Sequence, residues 1–202
     1  MSVTGFWIIA AVPSTAVEQL RADLPTPPPE PEDLSWWKNM DDAPLAEPES
    51  RGFGRHCPTD AVLRFTDNFE ALHPDLDADA CMNLLADLTD EDRFVASIRR
   101  GDPATTLYYG LGFDASHALP GRFGCFLLTA EEVTTAVPTV EAILTMDPKR
   151  RAQAVARMCA WLEVAGDESA DFNVEELIDE PLRILLRAKE HGRGAIGLMQ
   201  WY

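Results

Sequence analysis

Basic side chains are scarce in this chain. Its 17 lysine and arginine residues face 34 aspartate and glutamate residues, which gives a formal net charge of −17. Nucleic acids and anionic membrane surfaces are bound by clustered lysine and arginine, so we exclude both as partners. A negative surface favours a positively charged protein instead, and we expect a basic protein as the partner.

Cysteine is also scarce, and its four positions, Cys57, Cys81, Cys125 and Cys159, lie far apart without a CxxC pair. This spacing excludes a zinc ribbon and a thioredoxin-like redox site. We expect free, buried thiols, as in a protein from a reducing compartment.

Long hydrophobic runs are missing as well. The apolar run over residues 6–12 has no basic residue before it. It is much shorter than the roughly 20 residues that a membrane-spanning helix requires. We interpret it as a buried strand, and we expect a cytoplasmic protein.

Histidine motifs for metal binding do not occur. The four histidines are His56, His73, His117 and His191, and they form neither an HxH nor an HExxH pattern. We therefore expect no metal and no cofactor, although ligands can also meet from distant positions.

Acidic residues alternate at Asp75, Asp77 and Asp79, which resembles the start of a calcium-binding EF-hand loop. Such a loop also requires glycine at its sixth position and glutamate at its twelfth, where this chain has Ala80 and Ala86. We interpret these acids as the start of a helix, where the helix dipole stabilises negative charge.

Apolar residues make up 46% of the 202 residues, enough for a sizeable core. We predict one α+β domain over residues 1–202, in which a small mixed or antiparallel sheet packs against several amphipathic helices. The strands are predicted at residues 5–12, 105–113, 122–128 and 195–202, so the sheet draws on distant segments.

Helices are predicted between these strands. The first covers about residues 16–24, and three helical segments lie between residues 59 and 100, the third with Phe94, Val95 and Ile98. Capping residues Thr129 and Asp147 begin two further helices. Pro138 is expected to kink or interrupt the first of these, and Pro181 to divide the last helix, which ends at Gly192.

Prolines concentrate in residues 25–58, which hold eight of the chain's 15. We predict an acidic loop or arm there, without a regular helix or central strand, because proline lacks an amide donor. Trp36 and Trp37 lie in its middle. Either one indole anchors a surface loop to the body, or both are partner-binding residues on a docking arm.

Three segments of the chain resemble the YfbM-like family of uncharacterised bacterial proteins. They are the strand and capped helix that follow Gly5, the glycine-containing strand that runs into Leu128, Thr129, Glu131, Glu132 and Val133, and the final helix and strand over residues 182–201. Cys81 stands where the family tends to have an aromatic residue, and residues 25–58 have no counterpart. The resemblance implies a fold and no site, because no activity is established for the family.

The segment over residues 110–125 contains the residues best suited to catalysis: Asp114, Ser116, His117, Arg122 and Cys125. They would supply a nucleophile, a base and an anion clamp. Its glycines match neither a phosphate-binding loop nor a dinucleotide-binding motif. The alternative is a connection between strands whose glycines allow tight turns.

Residues 149–151 are the only basic triplet, Lys-Arg-Arg, in the first turn of a predicted helix. The helix dipole disfavours positive charge at that position, so we expect compensation. Nearby carboxylates would provide it, or the triplet belongs to an anion site or to a contact between subunits.

Charge and the missing motifs together favour a non-enzymatic, cytoplasmic, inhibitor- or immunity-like protein with a basic partner. The alternative is a small hydrolase or transferase centred on residues 110–125. A third possibility is a small-ligand binder with a pocket between sheet and helices. The oligomeric state does not follow from the sequence.

Overall fold

A computed structural model of the chain describes residues 4–22, 34–42, 64–68, 76–99, 101–165 and 171–201. The helices with defined bounds are α1 (Ser14–Ala22), α2 (Ser35–Asp42), α3 (Ala78–Leu85), α4 (Pro103–Leu111), α5 (Phe113–His117), α6 (Ala130–Leu144), α7 (Pro148–Ala165) and α8 (Glu176–Glu190). The strands are β1 (Thr4–Val12), β2 (Arg93–Arg99), β3 (Phe126–Leu128) and β4 (Gly194–Trp201). Residues 64–68 are also helical, and Pro120–Phe123 forms a 3₁₀ turn.

The four strands form one antiparallel sheet in the order β2-β1-β4-β3. β1 is an uninterrupted apolar run, as expected of an interior strand that is covered on both faces. Within it, Ile8 lies opposite Val95 of β2 and Leu198 of β4. The predicted α+β domain with a small sheet built from distant segments is confirmed.

Each face of the sheet has its own apolar cluster. Trp7 and Ile9 of β1 belong to the larger cluster, which α4, α6, α7 and α8 complete. Ile8 and Ala10 face the other way and pack with Val17 of α1 and with α3. This alternation follows from the two-residue period of a strand.

Residues 93–99 are strand β2, so the prediction of a helical segment there was wrong. Phe94, Ala96 and Ile98 are buried and alternate with more exposed neighbours. The apolar residues Phe94, Val95 and Ile98 also fit the spacing of a helix. A segment of seven residues is too short to distinguish the period of a helix from that of a strand.

Residues 103–111 are helix α4, so the strand predicted over residues 105–113 was also wrong. The Asp102 carboxylate accepts hydrogen bonds from the amides of Ala104 at 2.8 Å and Thr105 at 3.3 Å, and Pro103 occupies the first turn. Residues 103–110 are all buried. A helix that is covered on every side has no polar face and therefore no visible helical period.

The third predicted strand, over residues 122–128, is confirmed only for its last three residues, because a 3₁₀ turn precedes β3. The capping box after β3 is confirmed in both halves. The Thr129 amide donates to the Glu132 carboxylate at 2.8 Å, and the Glu132 amide donates to the Thr129 hydroxyl at 3.4 Å. Asp147 likewise caps α7, as predicted, by accepting from the amides of Lys149 and Arg150.

The prolines in the interior of α6 and α8 do not break these helices. α6 continues through Pro138 and α8 through Pro181. Each proline removes one helical hydrogen bond, at a cost of about 3 kcal/mol. Burial continues on both sides of each proline, for example at Val137 and Val140 in α6, so tertiary packing outweighs the lost bond. The predicted end of α8 is confirmed by Gly192, whose φ is +60°.

The proline-rich region contains a helix, which corrects the prediction that residues 25–58 exclude one. α2 occupies the proline-free window between Pro31 and Pro44, where no pyrrolidine ring obstructs helical hydrogen bonds. Apart from Leu34, the remainder of that region lies outside the described residues.

Candidate functional site

Two of the predicted catalytic side chains are structural. Ser116 on α5 is fully buried, and its hydroxyl donates a hydrogen bond to the Tyr108 carbonyl oxygen at 3.1 Å. The Cys125 sulfur is buried and accepts from the Met199 amide at 3.3 Å. Both contacts join neighbouring elements and leave neither atom in position to meet a substrate.

The other candidates in this segment lie on its surface. Asp114 and His117 are exposed, and the His117 ring packs edge-on against Phe113 with centroids 5.2 Å apart. The side chain of Arg122 is outside the described residues. Two clefts are formed by described residues alone, and neither is lined by Asp114, Ser116 or His117.

Trp37 lies in the core, where it is 1% exposed, and a docked partner does not reach it. This placement corrects its assignment as a partner-binding residue and agrees with the alternative of an indole that anchors the segment. Trp36 stacks against Trp37 at 5.9 Å and is half-buried, so it keeps some accessible surface.

Two thiols are buried as predicted, those of Cys81 and Cys125, whereas Cys159 is exposed. Cys57 lies outside the described residues. Burial raises the pKa of the Cys81 thiol, with a smaller contribution from a nearby carboxylate, so it stays protonated and unreactive.

Asp77 caps α3, as the interpretation of a helix start requires, because its carboxylate accepts from the Ala80 amide at 2.9 Å. Asp75 lies outside the described residues. Within the described ranges, no three histidine, cysteine, aspartate or glutamate side chains are grouped so that they would hold a metal ion.

The basic triplet is compensated by carboxylates at Arg151. Its guanidinium contacts Glu175 at 2.6 Å and Asp179 at 2.8 Å, across the space between α7 and α8. The expectation that carboxylates offset the triplet is confirmed for this residue.

A groove of about 680 Å³ opens beside the edge strand β2, and we call it the β2 groove. Its apolar lining comes from both faces of the sheet and from α3: Phe6, Ile8, Met82, Leu85, Phe94 and Val95. Its polar lining comes from the turn before β2, from β2 itself, from α8 and from β4: Asp90, Arg93, Glu180, Arg183 and Gln200.

The apolar floor of the β2 groove is exposed to solvent. Val95 is 44% exposed and Met82 is 37% exposed, whereas Ile8 and Ala10 of the same sheet face are buried under α1 and α3. Leu186 on α8 is 40% exposed but does not line the groove. Large apolar side chains exposed together in a concave site are typical of a binding surface.

The outer edge of β2 is covered at both ends by side chains. Asp171 accepts from the Ser97 amide at 2.7 Å and from its hydroxyl at 2.8 Å, and the Asp171 amide donates to the Ser97 carbonyl. At the other end, Arg183 donates to the Arg93 carbonyl at 3.3 Å. These contacts occupy backbone groups near both ends of β2, so another strand cannot pair with β2 over its full length. A ligand would therefore bind in the groove through its side chains.

One side of the groove is formed by an acidic segment, which contributes Met82, Leu85 and Asp90 to the lining. Residues 76–92, which we call the acidic wall, contain six carboxylates and no lysine or arginine. Asp79, Asp87 and Asp90 in this wall are exposed. Arginines offset both acids in the groove lining, because Arg93 pairs with Asp90 and Arg183 pairs with Glu180.

Asp92 fixes the acidic wall to the body of the protein. Arg187 of α8 donates to its carboxylate at 2.5 Å, and Arg193 donates to it at 2.9 Å. The hydrogen bond from Arg187 is the main reason that the pKa of Asp92 is held below its ordinary value. Arg183 also donates to the carbonyls of Asp90 and Glu91, so α8 holds the wall in one position.

This arrangement suits a ligand with an apolar side chain between basic residues. The floor accepts the apolar group, and the acidic wall attracts lysine or arginine beside it. Sequence reasoning missed the groove because its lining comes from β1, α3, β2, α8 and β4. The local signal was the set of six acids without a basic residue over residues 76–92, of which only Asp77 and Asp79 were interpreted, as part of a helix start.

In the described ranges, each helix is either too short or too polar to cross a lipid bilayer. No protein-family model, no curated protein and no solved structure matches this chain.

Proposed function

We propose that this protein is a non-enzymatic binding module that engages a segment of a basic protein in the β2 groove. The observation that carries the proposal is the joint exposure of Met82 and Val95 on the groove floor, beside the acidic wall. We further propose a cytoplasmic role of the inhibitor or immunity type, in which the acidic protein covers a functional surface of its target.

The energetics of the groove support this proposal. Burial of one leucine- or phenylalanine-sized side chain contributes about 1.5–3 kcal/mol, and the groove volume suits one or two such groups. The surplus of negative charge accelerates association with a positive target and makes that rate sensitive to salt. The covered ends of β2 limit binding to partners that present the correct side chains.

The resemblance to YfbM-like proteins stays a prediction, and we propose that the chain is a divergent relative. The three segments that carry the resemblance correspond to β1 with α1, β3 with α6, and α8 with β4. β1, β3 and β4 lie in one sheet, which supports a common structural origin for these segments.

A random peptide library displayed on phage tests the proposed binding. We expect the enriched peptides to combine aliphatic or aromatic residues with lysine or arginine. A selected peptide should bind the Met82→Ser, Val95→Ser double variant at least about tenfold more weakly, because two apolar contacts are lost. Its association rate should fall as salt is raised.

Leu186→Ser is the matched control, because Leu186 is similarly exposed but lies outside the groove. It should bind the selected peptide like the unmodified protein. Acidic consensus peptides, or an equal loss of binding in the control, would refute the proposal. So would failure to enrich any sequence over an unrelated acidic protein.

A further inference from the structure

A second cleft, of about 300 Å³, lies where the end of α4 meets α7. Its lining combines the backbone around two glycines with polar side chains of α7: Gly110, Leu111, Gly112, Met146, Arg150, Gln153, Ala154 and Arg157. It shares no lining residue with the β2 groove, so it stands independently of the proposed function.

The polar residues of this cleft lie on one face of α7. Arg150, Gln153, Ala154 and Arg157 are spaced by three, one and three positions, which places them along one side of the helix. Ala154 is 4% exposed and leaves room between the two arginines. Among the described residues, the lining therefore combines two guanidinium groups with one carboxamide.

Arg157 is held in a fixed orientation. Its Nε donates to the Tyr109 carbonyl oxygen at 2.9 Å, and its guanidinium lies over the Tyr109 ring, 4.6 Å from the centroid. A guanidinium has five N–H donors in a rigid, planar fork, and the contact to Tyr109 orients that fork. An arginine positioned in this way loses little conformational entropy when it binds an anion.

Arg150 differs from its neighbour in the basic triplet. Arg151 contacts Glu175 and Asp179, whereas Arg150 lines the cleft. Asp147, the nearby acid, accepts from the backbone amides of Lys149 and Arg150 as the helix cap. Within the triplet, Arg151 therefore forms ion pairs at the start of α8, and Arg150 lines this cleft.

Glycine shapes the wall opposite these arginines. A side chain at Gly110 would collide with Met158 and would lie 3.1 Å from the Ala154 carbonyl oxygen. Gly112 has a φ of +82°, which favours glycine over other residues. Gly110 therefore lets α4 pack closely against α7, and both glycines contribute backbone to the cleft lining.

We propose that this cleft binds a small oxyanion, the carboxylate or phosphate group of a small molecule. Arg150 and Arg157 would supply the positive charge, and the Gln153 carboxamide would supply a further donor. Arginine matches the planar geometry of carboxylate and phosphate oxygens with paired hydrogen bonds. The volume suits an anion of few atoms.

Titration of ¹⁵N-labelled protein with inorganic phosphate, and separately with malonate, tests the proposal by NMR. Sodium chloride at matched ionic strength is the reference. We expect saturable shifts of the amides in residues 110–112 and 150–157, with a Kd of roughly 1 mM or tighter for at least one anion. The anion that saturates identifies phosphate or carboxylate as the preferred group.

Arg150→Gln should weaken binding at least about tenfold, because a charge-assisted contact is lost. Lys149→Gln makes the same change in charge one residue away, outside the cleft lining, and should change binding less than about twofold. Arg157→Lys keeps the charge but removes the fork, and it should also weaken binding in a protein with unchanged amide dispersion. No saturable shift with either anion, shifts confined to other regions, or equal losses in the Arg150 and Lys149 variants would refute the site.

Discussion

Trp37 of α2 packs edge-on against Phe113 of α5, with ring centroids 5.2 Å apart and planes at 86°. The same indole also meets Tyr108 of α4 at 6.1 Å and Phe65 at 6.2 Å. One side chain from a proline-rich region therefore completes an aromatic cluster of the main core. This contact explains why a tryptophan occurs where the local composition favours a loop.

Replacement of Trp37 by alanine should lower the free energy of unfolding by about 3–5 kcal/mol, because a fully buried indole leaves a cavity. Trp36→Ala is the control. Trp36 is half-buried, so its loss should cost about 1–2 kcal/mol. Urea unfolding followed by circular dichroism measures both values. Equal losses in the two variants would mean that Trp37 does not have the anchoring role.

The sequence predicted those parts of the fold that have a local signal. β1 and β4 are continuous apolar runs, and the Thr129 capping box identifies the start of α6. Asp102-Pro103 is the same cap-and-proline signal as Asp147-Pro148, but the β-branched and aromatic residues that follow it favour a strand. Every side of α4 is buried, and this burial stabilises the helix. Burial depends on the whole fold, so the local sequence does not show it.

The candidate sites depend on tertiary structure to a greater degree. The β2 groove joins Phe6, Met82 and Val95, which are distant along the chain. The catalytic candidates Asp114, Ser116 and His117 are neighbours in sequence, but Ser116 is buried in the core while Asp114 and His117 are exposed on the surface of a short helix. Proximity along the chain therefore says little about a shared site, because a helix turns each residue about 100° from the last.

Asp102 should contribute more to stability than Asp147, although each caps a helix that begins with proline. Asp102 is 2% exposed and also accepts from the Thr105 hydroxyl at 2.6 Å. Asp102→Ala should cost about 2–3 kcal/mol, because it leaves several buried donors without an acceptor. Asp147 is exposed, so water replaces its contacts and Asp147→Ala should cost about 1 kcal/mol.

Chemical unfolding of the Asp102→Ala and Asp147→Ala variants at neutral pH measures these losses. Asp102→Asn is a second control that retains an oxygen acceptor, and it should recover part of the loss. An Asp147→Ala variant that is less stable than Asp102→Ala would contradict the assignment of the buried cap.

Asp92 should make the stability of the protein depend on pH in the acid range. Its pKa is lowered in the folded state, chiefly by the hydrogen bond from Arg187. Its contribution is therefore complete above the ordinary carboxyl pKa of about 3.9 and is lost as the pH falls through the lower folded value.

At pH 7 the Asp92→Asn variant should be less stable by about 1 kcal/mol, because two charged hydrogen bonds are weakened at a partly exposed site. This difference should shrink as the pH falls from about 5 to about 3, since the unmodified protein loses the same interaction there. Denaturant midpoints across this range measure the effect, with Asp87→Asn as a control in the same wall. A difference that stays constant down to about pH 3 would mean that Asp92 titrates outside the range set by its contacts with Arg187 and Arg193.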